Sequence, residues 1–274
     1  NIVAQPHLGY KLISTPDKLI AEEITYELRT KLIGKKIYSY ETTDSTMDIA
    51  HRLAQSHAPE GTVVFSEGQS KGRGRLGRDW LSPKGKGVYL SLILRPKILP
   101  AEAPKITLMS AIAVATAIRK QTLLPALIRW PNDILVDGRK ACGILTEMNA
   151  EVNTVKYIIL GIGINVNTDK ESLPKGATSL KEESGETVSR VELTKELLRQ
   201  LEQQYLLFKK EGFASIISEW RNLSSMLGNR VKIVCQDKRL EGHAVDLDLS
   251  GALVIRLDSG FTEKIFAGDV ILVR

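Results

Sequence analysis

Arg129-Trp130-Pro131-Asn132-Asp133-Ile134-Leu135-Val136-Asp137-Gly138-Arg139-Lys140-Ala141-Cys142-Gly143 encodes a β-hairpin with a shaped wall ahead of it. Asp137-Gly138 stands between two apolar runs, and this dipeptide supplies the positive-φ positions of a two-residue hairpin turn. Counting outward from the turn pairs Val136 with Arg139, Leu135 with Lys140 and Asp133 with Cys142. Side chains directly opposite share a face. Asp133 and Lys140 are therefore expected as diagonal neighbours about 7–8 Å apart. A carboxylate and an ammonium so placed can flank a phosphate, although a plain surface hairpin with two solvated charges has the same pattern. Trp130 and Pro131, just before the strand, favour the fixed wall.

Working outward, Lys156 to Ile162 reads as a strand ending in Gly161-Ile162-Gly163-Ile164-Asn165. A polar loop is expected over Thr168 to Gly185, then helices over Val191 to Lys209 and Phe213 to Met226. Upstream lie an alanine-rich helix (Ile106 to Thr122) and strands over Val88 to Leu94, Thr62 to Ser66 and Ile37 to Tyr40. Asp44-Ser45-Thr46 offers N-cap chemistry for a helix reaching about Ser56. Strands mixed with helices in this way predict an α/β (α+β mixed sheet) domain over residues 35–227. From Gly228 short alternating runs sit between glycine and aspartate turns, which predicts a small C-terminal β-barrel over 228–274. The lead-in, residues 1–34, has too little apolar mass to be a domain. His7 to Leu12 reads as a turn into a short strand. Ile20, Ile24, Leu28 and Leu32 recur every four positions and predict a helix from Pro16 to Ile33, ended by Gly34.

Composition narrows the class. Hydrophobic residues make up 43% and charged residues 26% of 274 residues, enough apolar mass for a core without metals or disulfides. Cys142 and Cys235 are far apart in sequence and suit a reduced, cytoplasmic protein. His7, His51, His57 and His243 form no zinc-binding pattern. The longest apolar stretch, Ala111 to Ile118, falls far short of the roughly 20 residues of a membrane span, so no membrane partner is expected. A net charge of +6 is compatible with nucleic acid, nucleotide or an acidic protein.

The second informative stretch is Gly68-Gln69-Ser70-Lys71-Gly72-Arg73-Gly74-Arg75-Leu76-Gly77-Arg78-Asp79-Trp80. Glycines let backbone N–H groups approach an anion, and arginines supply planar forks for phosphate or carboxylate. Lys71, Arg73, Arg75 and Arg78 should repel one another until an anion arrives. A solvated or RNA-binding basic loop has the same composition, but flanking strands and Trp80 suit a loop held over a pocket. No GxGxxG or GxxxxGK[ST] occurs, so neither a dinucleotide fold nor a P-loop is supported. No protein nucleophile stands out, which points to chemistry by positioning and charge stabilisation.

Taken in order, these segments closely resemble the biotin–protein ligase family from about Tyr38 to the C-terminus. The resemblance rests on Asp44-Ser45-Thr46, Gly72 to Trp80, Trp130-Pro131-Asn132-Asp133, Arg139-Lys140-Ala141-Cys142-Gly143-Ile144-Leu145, Gly161 to Asn165 and Ala177-Thr178-Ser179-Leu180. It implies a catalytic domain followed by an SH3-like barrel, ATP and Mg²⁺ as cofactors, and biotin as substrate. It further implies biotin contacts from Ser45, Thr46, Met47, Gln69, Arg73, Gly74, Arg75, Lys140 and Gly143. Nucleotide contacts would come from Arg75, Arg78, Trp80, Trp130, Asn132 and Asn165. Lys140, Arg73 and Asp133 would carry the chemistry, and Asp133 with Asn165 would serve Mg²⁺. Met47 departs from the family's usual Asn, and Arg129 from its frequent Lys.

The implied partner is a biotin carboxyl carrier protein, and homodimerisation is left open. In repressor-type members a winged helix-turn-helix precedes the catalytic domain. Gly9-Tyr10-Lys11-Leu12 looks like the tail of such a wing, with its recognition helix expected upstream of Asn1. DNA is therefore expected as a partner only with that domain present. Two rival readings are a lipoate–protein ligase and a DNA-binding repressor without catalysis. The Gly-Arg-Gly-Arg-Leu-Gly-Arg run favours the biotin branch over the first, and Lys140 with Asp133 argues against the second.

Overall fold

The computed structural model describes residues 2–5, 9–12, 16–235 and 238–273. β1 (Ile2–Gln5) and β2 (Gly9–Leu12) pair as an antiparallel two-stranded sheet. The strand expected at Gly9 is therefore present; His7 and Leu8 of that reading lie outside the described residues. The helix expected from Pro16 to Ile33 shrinks to α1 (Ala21–Thr25). Beyond it Glu27 and Arg29 take left-handed backbone angles, φ 58° and 57°, which a right-handed helix excludes. The turned chain is held by Glu202, whose carboxylate accepts the N–H groups of Lys31, Leu32 and Ile33 at 2.7, 2.6 and 2.9 Å. Of the apolar repeat, Ile24 and Leu28 enter the main core beside Leu19 and Ile33, Leu32 packs against it partly buried, and Ile20 is exposed.

β3 (Ile37–Tyr40), α2 (Thr46–Gln55), β4 (Val63–Ser66), β5 (Gly87–Leu94), α3 (Ala103–Thr122), β6 (Leu127–Arg129), β7 (Asp133–Val136), β8 (Arg139–Glu151) and β9 (Thr154–Asn165) follow. Their seven strands form one sheet in the order β3-β4-β5-β9-β8-β7-β6. β3 and β4 are parallel, with α2 as the crossover between them, and every other pair is antiparallel. Side chains alternate between faces along a strand, and the two faces bury separate clusters. Val63 and Phe65, Leu90 and Leu92, and Ile158 and Leu160 share a core with α3. Val64, Ile93, Tyr157 and Ile159 face the other way, onto Met47, Ile49, Ala50 and Ala54 of α2. Along β9 that second face runs from Tyr157 and Ile159 into Gly161 and Gly163, where the floor beside α2 loses its side chains.

α4 (Leu180–Ser184), α5 (Arg190–Glu211) and α6 (Ile217–Leu223) complete the main body. The expected polar loop over 168–185 thus contains a short helix, capped by Ser179, whose Oγ accepts the Glu182 N–H. α3 packs against the sheet, α5 and α6 and is buried along most of its length. Pro100–Thr122 is long and apolar enough to cross a membrane, but 67% of its most apolar window is enclosed, as befits a core helix.

β10 (Arg230–Cys235), β11 (Lys238–Leu247), β12 (Leu253–Leu257), β13 (Thr262–Ile265) and β14 (Asp269–Leu272) form a five-stranded antiparallel sheet ordered β13-β12-β11-β10-β14. The short strands expected after Gly228 are thus present. Among the described residues β13 and β14 share no ladder, so hydrogen bonding does not close the expected barrel. Val231, Ile233, Leu247 and Ile255 join the main core, and Arg221 of α6 donates to both carboxylate oxygens of Asp246 at 2.7 and 3.0 Å.

Candidate active site

The open floor beside α2 forms a cavity of about 200 Å³. Gly143 on β8 pairs with Gly163 on β9, and Gly161 lies two residues away on the same face. A Cβ at Gly163 would come within 2.3 Å of the Trp80 indole nitrogen, and one at Gly143 within 2.9 Å of the same ring. At Gly161 it would meet the Met47 sulfur at 2.6 Å. Trp80 and Met47 therefore lie directly on a glycine floor. One end of the cavity is polar. Ser45 caps α2 by accepting the Met47 N–H, and Gln69 Oε1 accepts the Thr46 N–H at 2.9 Å. Gln69 is itself fixed by donating to Ser82 Oγ at 2.9 Å.

The Gly/Arg loop folds back on itself over this floor. Trp80 N–H donates to the Gly72 carbonyl at 2.8 Å and Gly74 N–H to that of Arg78 at 2.7 Å. Its cations do not crowd one another as the sequence suggested. Lys71 pairs with Asp44 at 3.0 Å, Arg73 with Asp48 at 2.6 Å, Arg75 with Asn132 Oδ1 at 2.8 Å, and Arg78 with Asp269. The partners come from three segments, the start of α2, the turn before β7 and the start of β14, so the repulsion is answered inside the chain. His51 Nε2 lies 2.7 Å from Glu147. That contact, helped by Arg73 against the opposing effect of burial, holds the Glu147 carboxyl below the usual carboxylate range. Glu147 is thus an anion at neutral pH, 3.8 Å from Arg73.

The hairpin departs from simple counting. Val136 pairs with Arg139 and Leu135 with Lys140 as expected, but Ile134 pairs with Cys142 and Asp133 with Gly143. Ala141 is the extra residue of a β-bulge. The cause is a competing partner: Lys140 N–H donates to the Gly176 carbonyl at 3.0 Å, and the Lys140 carbonyl accepts the Thr178 N–H at 2.9 Å. Lys140 stays diagonal to Asp133, as expected, and its long side chain places Nζ 2.7 Å from Asp133 Oδ1. Arg129 holds the other Asp133 oxygen at 2.6 Å. The Lys140 ammonium also sits 5.4 Å from the centre of the Trp80 ring, a cation–π contact. Cys142 faces away from the cavity, and burial pushes its thiol far above the ordinary range, so it is no nucleophile.

The biotin/lipoate A/B protein ligase family matches residues 39–165, and the biotin protein ligase C-terminal domain matches 226–273. The bifunctional ligase/repressor BirA of Bacillus subtilis is 38% identical over 268 residues, 96% of this chain and 82% of that protein. The chain belongs to the biotin protein ligase family. The biotin--[acetyl-CoA-carboxylase] ligase of Mycobacterium tuberculosis is 30% identical over 90% of this chain and 94% of its own. The biotin protein ligase of Aquifex aeolicus, in complex with biotin and ATP, superposes with a TM-score of 0.75 at 30% identity, covering 88% of this chain and 99% of that one.

The cavity brings together Ser45, Thr46, Met47, Gln69, Arg73, Gly74, Arg75, Arg78, Trp80, Asn132, Asp133, Lys140, Gly143 and Asn165. Trp130 is not among its lining residues. Its indole N–H donates to the Gly251 carbonyl at 3.1 Å, and its ring lines a neighbouring cavity of about 360 Å³ with Leu108 and Phe266. That second cavity shares Arg75 and Asn132 with the first. The sequence reading missed Asp48, Glu147 and Asp269, which hold the loop arginines. Asp48 was visible in the first turn of α2. Asp269 lies 191 residues from Arg78, and nothing local marks it.

The residues present do not fit a protein-held Mg²⁺ at Asp133 and Asn165. Both Asp133 oxygens face cations, and Asn165, whose Nδ2 donates to the Thr178 carbonyl at 3.0 Å, offers only one neutral amide oxygen. Unit charges about 4 Å apart interact by about 4 kcal/mol at an effective dielectric of about 20, and a dication doubles the repulsion. Among the described residues, no three His, Cys, Asp or Glu side chains converge to hold a metal.

Proposed function

We propose that the chain activates biotin with ATP and passes it to a lysine of a biotin carboxyl carrier protein. The observation that carries this reading is one cavity with three linked parts. A glycine-floored apolar bed lies at its centre, a polar cap at Thr46 and Gln69 closes one end, and Lys140 with the arginine loop supplies positive charge for an anion. Relatives named for biotin ligation and the likeness to a structure holding biotin and ATP support the same substrates.

In the first step a biotin carboxylate oxygen attacks the α-phosphorus of ATP, which enters as Mg·ATP, and pyrophosphate leaves. Negative charge grows on the phosphate oxygens, where Lys140 and Arg73 supply fixed positive charge. Ser45, Thr46, Met47, Gln69 and Gly143 bed the biotin rings. Gly74 and Arg75 cover the acyl phosphate, and Arg78, Trp80, Asn132 and Asn165 border the nucleotide. In the second step the acceptor amine attacks the acyl carbon and AMP leaves, while the loop keeps water from the mixed anhydride. Residues 35–227 carry the site, and 228–274 close it through Asp269. DNA contact is proposed only through a domain ahead of β1.

Calorimetry with biotin and with lipoate tests the substrate. Biotin should bind at least about a hundredfold more tightly, since a site built for a polar head group rejects an analogue lacking it by such factors. Equal affinities would return the chain to the lipoate branch.

A further inference from the structure

Asp133 is gripped from two sides by cations on different strands: Arg129 at the end of β6 at 2.6 Å and Lys140 on β8 at 2.7 Å. Its side chain is only 14% exposed, so the carboxylate is committed to this pair and not shared with solvent. The two contacts differ. The one to Arg129 is a formed hydrogen bond, whereas the ammonium faces Oδ1 without hydrogen-bond alignment. Lys140 is thus held by charge and can turn toward a ligand anion without breaking a directed bond. Its main chain is pinned by Gly176 and Thr178, and the Trp80 ring lies on its other side. The β-bulge at Ala141 lies at this point and leaves Lys140 opposite Leu135, so its long side chain crosses the diagonal to Asp133.

We infer that Asp133 is the positioning residue of Lys140 and carries no metal. This rests on the proposed ligase chemistry, in which Lys140 meets the reacting phosphate. The carboxylate anchors Arg129 and holds the ammonium against the Trp80 ring, facing the part of the cavity that would take the phosphate. The divalent cation needed by the nucleotide then rides on the triphosphate, outside the reach of Asp133.

Two measurements on the full chain test this. Native protein must first show biotin-dependent pyrophosphate–ATP exchange; its absence would sink the ligase reading, not this inference. In Asp133→Asn the maximal exchange rate should fall about a hundredfold, as for loss of one preorganised stabiliser. The KM for ATP and the Mg²⁺ concentration giving half-maximal rate should not move. Electron paramagnetic resonance titration of Mn²⁺ with a non-hydrolysable ATP analogue gives a readout independent of turnover. Native protein, Asp133→Asn and Lys140→Ala should bind Mn²⁺ alike. A metal ligand at this position would instead weaken Mn²⁺ binding in Asp133→Asn by about tenfold or more, with activity recovered at high Mg²⁺. It would also tighten binding in Lys140→Ala, where the oxygen is freed. Either result overturns the inference, and the Lys140 variant decides it if Asp133→Asn fails to fold.

Discussion

Replacing Lys140 by alanine separates structure from chemistry at this site. The ammonium makes one ion pair, to Asp133, and one cation–π contact, to Trp80. Its side chain is 30% exposed, so the pair is partly screened and worth up to about 1 kcal/mol. Asp133 keeps Arg129 at 2.6 Å and escapes the roughly 3–5 kcal/mol penalty of a stranded buried charge. A loss of about 1 kcal/mol lowers Tm by about 2–4 °C in a domain of this size. Adenylation should suffer far more, because a fixed cation at the transferring phosphate is worth about a hundred- to a thousandfold in rate, or about 2.7–4 kcal/mol. Biotin-dependent pyrophosphate exchange and thermal unfolding, measured on the same preparation, give both numbers. Near-native exchange would refute the role of Lys140. A Tm drop beyond about 10 °C, several times the expectation above, would refute the argument that Arg129 compensates.

Gly163→Ala should cost about 1–3 kcal/mol, the usual penalty of overpacking, and weaken biotin binding, because its Cβ meets the stiff Trp80 ring. Gly161→Ala meets the flexible Met47 thioether at 2.6 Å and the Leu145 carbonyl oxygen at an ordinary 3.5 Å, and should cost less, because the thioether can shift; a larger loss in titration calorimetry than for Gly163→Ala would contradict this ranking. Glu202→Ala strips an acceptor from three backbone N–H groups and should cost about 3 kcal/mol, read by denaturant unfolding, with exchange activity per folded molecule preserved. Asp169 is pushed down to about 2 by its hydrogen bond to Lys181 and then that to Lys86. Because this lies below the unfolded value of about 3.9, its stabilisation is complete at neutral pH and fades as pH falls from about 4 toward 2. Asp169→Asn should therefore lower Tm at pH 7 and match the native Tm near pH 2, and a pH-independent difference would exclude the ion pairs as its cause.

The strand and helix bodies were legible because local pattern and tertiary demand agree there. Ile37 to Tyr40 and Val88 to Leu94 needed only apolar runs with turn punctuation, and Asp44-Ser45-Thr46 placed a helix start correctly. Failures fell where a distant group outbid the local signal. The Pro16 to Ile33 repeat is helical by spacing, yet the Glu202 carboxylate, 169 residues from Ile33, draws that backbone into turns. Counting from Asp137-Gly138 missed the Ala141 bulge because the loop at Gly176 and Thr178 competes for the Lys140 backbone. The repulsion expected among the loop arginines ignored Asp44, Asp48 and Asp269, of which only the first two are near in sequence. The site was legible as residues and not as contacts: Asp133 and Lys140 were singled out, but their ion pair was not.

The most direct test of the account is transfer itself. Purified protein, ATP, Mg²⁺, biotin and a biotin carboxyl carrier domain should yield a carrier heavier by one biotinyl group, on one lysine, by intact-mass and peptide mass spectrometry. Omitting ATP, or substituting Lys140→Ala, should remove the product over the same interval. An unmodified carrier alongside a well-folded, biotin-binding protein would contradict the central claim, and so would modification by lipoate in place of biotin.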